Sequence, residues 1–151
     1  MKQRMTVDDA IKMSAACTFN DYELSRRILR CIVKREYING VRPDYVEFDT
    51  EDADYKAAKS YYEANIKEEQ LLAETSNLNS KGIALEKEGK IDEAIAVYEQ
   101  CATLGYRASH CYERLRILYK KRKDYGNMQR AIDMKNAAQQ AYEERTGRVY
   151  Y

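Results

Sequence analysis

The chain has 151 residues, enough for one domain and hardly two, and 44% of them are hydrophobic, which supports a core rather than disorder. Its 26 basic and 25 acidic residues leave a formal net charge of +1, which argues against a general polyanion binder. With one proline, six glycines and one histidine, the composition favours long helices and excludes any site that needs two histidines. We therefore expect a helical protein that is not an enzyme.

Targeting signals and metal-ligand spacings are both missing from the sequence pattern. The first residues lead into no apolar stretch typical of a secretory signal, and no apolar run reaches the roughly 18 residues of a membrane span. The cysteines form no CxxC pair and lie among apolar neighbours in helical patterns, where a reduced thiol acts as a small hydrophobic group. They are Cys17, Cys31, Cys101 and Cys111. The sequence predicts a cytoplasmic protein without membrane contact, bound metal, cofactor or catalytic residues.

Two helices are predicted in the first 40 residues. Thr6 is a suitable N-cap for a first helix that fades near Cys17. Asn20 with Glu23 repeats this cap signal for a second helix, and Asn39-Gly40 supplies its stop. The apolar face of the second helix comprises Leu24, Ile28, Cys31 and Ile32, widened by Leu29 and Val33.

Residues 41–50 contain the only proline, Pro43, and are predicted to form an extended connection. Six acids and no base lie between Asp44 and Asp54, where carboxylates would favour the N-terminus of a third helix beginning near Glu51. Calcium binding is the alternative, but the EF-hand spacing is absent. The third helix spans about 51–73, and its end is uncertain because residues 75–77 contain neither proline nor glycine.

An internal repeat is the most specific signal in the chain. One set of positions is Leu78, Gly82, Leu85, Gly89, Ile91, Ala94, Tyr98 and Cys101. The residues 34 positions further on are Tyr112, Arg116, Tyr119, Lys123, Tyr125, Met128, Ile132 and Lys135. In more than half of these pairs both residues are apolar. The small residues Gly82 and Ala94 would let two helices cross closely, and Tyr98 would fill the space beside them.

The spacing and residue types of the first unit resemble the tetratricopeptide repeat family. The resemblance implies an all-α array of helical hairpins, with units at about 75–108 and 109–142 and a last helix at about 125–145 that Thr146-Gly147 ends. In the second unit Arg116 and Met128 replace the family's small residues, and Lys135 suggests that no further repeat stacks there. Residues 1–50 would add an N-terminal helical pair and the connection, and residues 51–151 the repeat domain, in one compact unit overall.

The same resemblance implies a groove that binds a protein or peptide partner. Its lining would comprise Asn79, Ile83, Glu86, His110, Glu113, Ile117 and Lys120, with Ser76 at its edge. Asn79 and Ile83 stand where some family members place the Lys and Asn that clamp a C-terminal carboxylate, so that clamp is not expected. A protein-interaction or scaffold module is the function this predicts, with helix packing alone as the structural alternative.

A basic patch provides the second functional hypothesis. It comprises Arg114, Arg116, Lys120, Lys121, Arg122 and Lys123, interleaved with tyrosines. Such a composition can serve nucleic-acid binding, although a solvated helix end or docking to the acidic 44–54 segment would also explain it. Self-association through Val149-Tyr150-Tyr151 or the free end of the array is a further hypothesis. His110 and Cys111 are adjacent in a helix and point about 100° apart, so they form no local nucleophilic pair.

Overall fold

A computed structural model describes residues 1–33 and 44–149, and these residues are predominantly helical, as predicted. The elements are β1 (Lys2–Thr6), α1 (Val7–Cys17), α2 (Tyr22–Val33), β2 (Tyr45–Asp49), α3 (Ala53–Lys87), α4 (Ile91–Thr103), α5 (His110–Lys121) and α6 (Tyr125–Thr146). The chain divides into two units, Met1–Glu68 and Glu69–Tyr151, and α3 begins in the first and ends in the second. Three features used in the sequence analysis lie outside the described residues: the predicted helix stop at Asn39-Gly40, the proline Pro43, and the terminal residues Tyr150 and Tyr151.

Local hydrogen bonds fix the start of α1 and of α2. The Thr6 hydroxyl accepts a hydrogen bond from the Asp9 amide at 3.1 Å, and α1 ends at Cys17, both as predicted. The expectation that Asn20 caps α2 was wrong. The Asp21 carboxylate accepts from the Leu24 amide at 3.0 Å, because a hydrogen bond of 2.7 Å from the Asp21 amide to the Cys17 carbonyl places Asp21 at the start of the helix.

The buried face of α2 is narrower than predicted. Leu24, Ile28 and Ile32 are buried at i, i+4 spacing, whereas Leu29 is 44% exposed and Cys31 is exposed. A helix packed on one side buries a single stripe, and residues beside that stripe reach solvent. The core of this unit comprises Val7, Ala10, Met13, Cys17, Leu24, Ile28, Ile32, Val46, Phe48, Tyr55 and Ala58.

A two-stranded antiparallel sheet, which the sequence analysis did not predict, lies in the first unit. Lys2 pairs with Asp49 and Thr6 with Tyr45, so half of the predicted extended connection is strand β2. Val46 and Phe48 alternate inward along β2 and are buried. The acids that follow β2 act at the helix start, since the Asp52 carboxylate accepts from the Tyr55 amide at 3.0 Å.

The second unit is built around a close helix crossing. Ideal Cβ geometry at Gly82 on α3 would place that carbon 2.4 Å from the Tyr98 ring on α4, so only a glycine allows this approach. Tyr98 is fully buried. The core here comprises Ala94, Ile95, Tyr98, Cys101, Ala102, Cys111, Tyr112, Leu115, Leu118, Tyr119, Ala131 and Ala138.

The turns after α3 and α5 have the same backbone geometry, 34 residues apart. Gly89 has a φ of +77°, and Lys123, at the matching position, has a φ of +59°. In each turn the amide of the following residue donates a hydrogen bond to a carbonyl of the preceding helix. Lys90 N donates to Leu85 O and Asp124 N donates to Tyr119 O, both at 2.9 Å. The helix endings therefore repeat with the sequence period, and the left-handed C′ position forms even where the second unit lacks glycine.

Candidate binding face on helices α3 and α5

Two side-chain pairs join α3 to α5 within the second unit. Asn79, only 9% exposed, has its Oδ1 2.9 Å from Nδ1 of the exposed His110. The Glu86 carboxylate accepts two hydrogen bonds from the Arg114 guanidinium, at 2.9 and 2.6 Å. Asn79 and Glu86 of α3 are thus each paired with a residue of α5.

Two isoleucines lie on the same sides of these helices. At about 100° per residue, Ile83 lies within about 60° of Asn79 and Glu86 around the axis of α3, and Ile117 within about 60° of His110 and Arg114 around that of α5. Both isoleucines are half-buried. We name the surface of Asn79, Ile83, Glu86, His110, Arg114 and Ile117 the binding face. It combines apolar contact area with hydrogen-bonding groups already held in position.

The charged pair at the centre of the binding face is stabilised by its geometry. Arg114 donates to Glu86 and holds the pKa of that carboxyl below its usual value, although partial burial opposes this shift. Glu86 in turn raises the pKa of Arg114. Both side chains are mostly covered, at 30% and 16% exposure for Arg114 and Glu86. A bidentate pair with this little exposure fixes two side chains rather than leaving two mobile charges.

His110 presents a defined ring atom to solvent. In the neutral tautomer in which Nδ1 donates to the Asn79 oxygen, Nε2 is the ring atom left to accept a hydrogen bond from a ligand. Burial raises the pKa of Tyr98, and the neighbouring Glu86 carboxylate adds to that shift. The phenol beneath the binding face therefore stays neutral.

The remaining predicted groove residues lie towards α6. The Glu113 carboxylate accepts from Lys135 on α6 and from Arg116, both at 3.0 Å. Lys135 lowers the pKa of Glu113, with Arg116 contributing, while burial opposes the shift. Lys120 is exposed. The structure thus places Glu113 in a link between α5 and α6, and brings Arg114, predicted only for the basic patch, onto the binding face.

The basic patch is partly neutralised within the fold. Arg114 pairs with Glu86, Arg116 with Glu113, and Arg122 with Asp92: three of its cations face internal carboxylates. Lys120, Lys121 and Lys123 are exposed and form no ion pair within residues 1–33 and 44–149. The cations that remain available are these three lysines at the C-terminal end of α5.

The contacts that sequence reasoning missed join residues remote in the chain. Glu86 and Arg114 are 28 residues apart, and no local spacing rule pairs them. In the part of the chain that the structure describes, no three His, Cys, Asp or Glu side chains are placed to hold a metal ion. No helix there is long and apolar enough to cross a membrane. Comparisons with protein-family models, curated proteins and solved structures find no match for this chain.

Proposed function

We propose that the chain is a non-enzymatic, cytoplasmic protein-interaction or scaffold module that binds a peptide or protein partner on the binding face. The observation that carries this proposal is the pairing of Asn79 with His110 and of Glu86 with Arg114 across α3 and α5. These pairs hold polar groups rigidly beside two half-buried isoleucines. A preorganised surface of this kind reduces the entropy lost on binding.

We further propose that the second unit is a two-hairpin array similar to tetratricopeptide repeats. The matching turns at Gly89 and Lys123 support this, because they repeat with the 34-residue sequence period. The close approach of Gly82 to Tyr98 also supports it, since tetratricopeptide repeats have a small residue at the position that Gly82 occupies in the first hairpin. In such an array, the first helices of successive hairpins line one side, which is where the binding face lies.

The chemistry of the binding face indicates what a partner would offer. Ile83 and Ile117 would take an apolar side chain, since covering their remaining exposed apolar area is favourable. His110 Nε2 would accept a hydrogen bond from a backbone amide or hydroxyl. Lys120 and Lys121, at the edge of the face, would favour an acidic flank.

Affinity capture from the native cell extract, with chemical cross-linking, tests this proposal. The variants are Ile83→Lys and Ile117→Lys, since a lysine at a half-buried site can extend its charged end into solvent and preserve the fold. Ala96→Lys, at an exposed position of α4, is the matched control. We expect Ile83→Lys and Ile117→Lys each to reduce the amount of partner captured about tenfold or more. Circular dichroism should show that the helical content of both variants is unchanged. If the wild type and both binding-face variants capture equal amounts of partner, the proposal that this face binds the partner is refuted.

Nucleic-acid binding is the second candidate, and it is favoured by the three unpaired lysines. Retention on single-stranded nucleic acid should then fall with salt concentration, with a logarithmic slope of about −2 for three phosphate contacts. The variant to use is Lys120→Glu with Lys121→Glu and Lys123→Glu, because Arg122 is held by Asp92. No retention by the wild type at low salt would remove this candidate.

A further inference from the structure

A groove lies on another side of the second unit, between α3 and α4. Its volume is about 660 Å³, and its walls are largely apolar. The lining includes Glu74, Asn77, Leu78 and Lys81 from α3, Gln100 from α4 and Leu104, which directly follows α4. Leu104 is 38% exposed, an unusual degree for a leucine at the end of a buried helix. We name this surface the α3–α4 groove.

The α3–α4 groove is separate from the binding face. At about 100° per residue, Glu74 and Lys81 lie nearly opposite Asn79 and Ile83 around the axis of α3. A ligand on one surface would therefore leave the other accessible. The proposal below goes beyond the proposed function and does not depend on it.

The equivalent surface of the second hairpin is covered in the fold. Residues 34 positions after four of the lining residues pack in the core of the unit: Tyr112, Leu115, Met134 and Ala138. Tyr112 and Leu115 are 1% and 0% exposed, since the preceding hairpin covers them. Lys81 stands at the position matching Leu115. The α3–α4 groove thus has the location of a helix-packing surface, with a charge at its edge in place of a buried leucine.

The α3 side of the groove carries its charged residues at its two ends, and the third charged lining residue, Glu99 of α4, is held by Tyr119 and Arg130 within the unit. Glu74, Asn77, Leu78 and Lys81 follow the i, i+3, i+4, i+7 spacing of one helix face. Glu74 and Lys81, of opposite charge, lie at the two ends of this helix face, and Asn77 and Leu78 lie at its centre. Neither Glu74 nor Lys81 has an ion-pair partner among the residues placed by the structure.

Such a face is complementary to a second copy of itself. When two α3 helices pack antiparallel about an axis between Asn77 and Leu78, Glu74 of each copy faces Lys81 of the other. One two-fold axis generates both ion pairs, and the leucines on both sides of the axis cover each other. We propose that the α3–α4 groove is a homodimer interface in which two copies pair through antiparallel α3 helices.

Sedimentation velocity tests this proposal over about a hundredfold range of protein concentration. We expect the wild type to form a dimer, and Glu74→Lys or Lys81→Glu alone to weaken it about tenfold or more, since each change places two like-charge pairs across the axis. Lys121→Glu, with the same change in net charge as Lys81→Glu but on an exposed site outside the groove, should leave the dimer intact.

Two combinations distinguish a symmetric interface from any other. The double variant Glu74→Lys with Lys81→Glu restores both ion pairs in reversed orientation and should dimerise within about threefold of the wild type. A mixture of the two single variants should form a heterodimer, because each of the two lysines of one variant then faces a glutamate of the other. A monomeric wild type, a dimer insensitive to the single changes, or a mixture that stays monomeric would each overturn the proposal.

Discussion

Replacing Gly82 by alanine tests the close crossing of α3 and α4. The added Cβ would lie 2.4, 2.7 and 2.8 Å from Cε1, Cδ1 and Cζ of Tyr98. Alanine within a helix otherwise gains about 1 kcal/mol over glycine. Overpacking a fixed core costs about 1–3 kcal/mol, and here the upper part of that range applies because the Tyr98 ring is fully buried and cannot swing into solvent.

We expect Gly82→Ala to lower the free energy of unfolding by about 1–2 kcal/mol and the melting temperature by roughly 5–15 °C. Urea unfolding followed by circular dichroism measures the first quantity, and a thermal scan the second. Gly126→Ala is the matched control, because its Cβ would meet only an Asp124 oxygen at 3.9 Å. That change should leave stability unchanged or raise it by up to about 1 kcal/mol.

A double-mutant cycle assigns the loss to the named contact. In a Tyr98→Leu background the ring is absent, so Gly82→Ala should become neutral or stabilising, even though Tyr98→Leu itself is destabilising. If Gly82→Ala stabilises the wild type as Gly126→Ala does, the helices do not approach at Gly82 and the reasoning is refuted.

Two further predictions concern a turn and a charge. Lys123→Gly should raise the free energy of unfolding by about 0.5–1 kcal/mol, measured by urea unfolding, because Lys123 has a φ of +59° that glycine adopts without steric conflict. For Glu86, Arg114 lowers the folded-state pKa below 4.5, so its stabilisation is present above that value and is lost as the pH falls through the folded pKa. The stability gap between wild type and Glu86→Gln should therefore narrow from neutral to acidic pH.

Each of these has a direct control. Gly89→Ala is the reverse of the turn change, and nothing lies within 4 Å of its added Cβ, so its expected loss reports backbone strain alone. Unchanged stability in both turn variants would contradict the strain argument. Glu88→Gln, at an exposed carboxylate paired with Lys90, controls for the pH series. A gap for Glu86→Gln that is constant across pH would show that its ionisation does not stabilise the fold.

The helices of the second unit were predictable because their signals are local. Gly89 and Gly147 mark helix ends by their own conformational freedom, and both have positive φ. The 34-residue period placed α4 and α6, which begin at Ile91 and Tyr125. The repeat register indicated Asn79, Ile83, Glu86, His110 and Ile117 for one surface. It did not indicate the Glu86–Arg114 pair, which depends on how far two long side chains reach across the helix crossing.

The sheet of the first unit was not predicted because its strands depend on contacts between residues that are distant in the chain. β1 has one half-buried apolar residue, Met5, and its extended form depends on pairing with a strand far along the chain. β2 does carry a period-2 signal at Val46 and Phe48, but five residues are too few to distinguish a strand from an extended connection. Long-range pairing, rather than propensity, decides both strands.

That pairing also bears on the order in which the chain folds. β1 and β2 join residues as distant as Lys2 and Asp49, so the entropy of a long loop is lost before the first ladder hydrogen bond forms. The second unit pairs consecutive helices across short turns, and local contacts of that kind close quickly. We expect the refolding rate of the protein to be limited by the meeting of its two strands, and the helical hairpins to acquire protection from hydrogen exchange first.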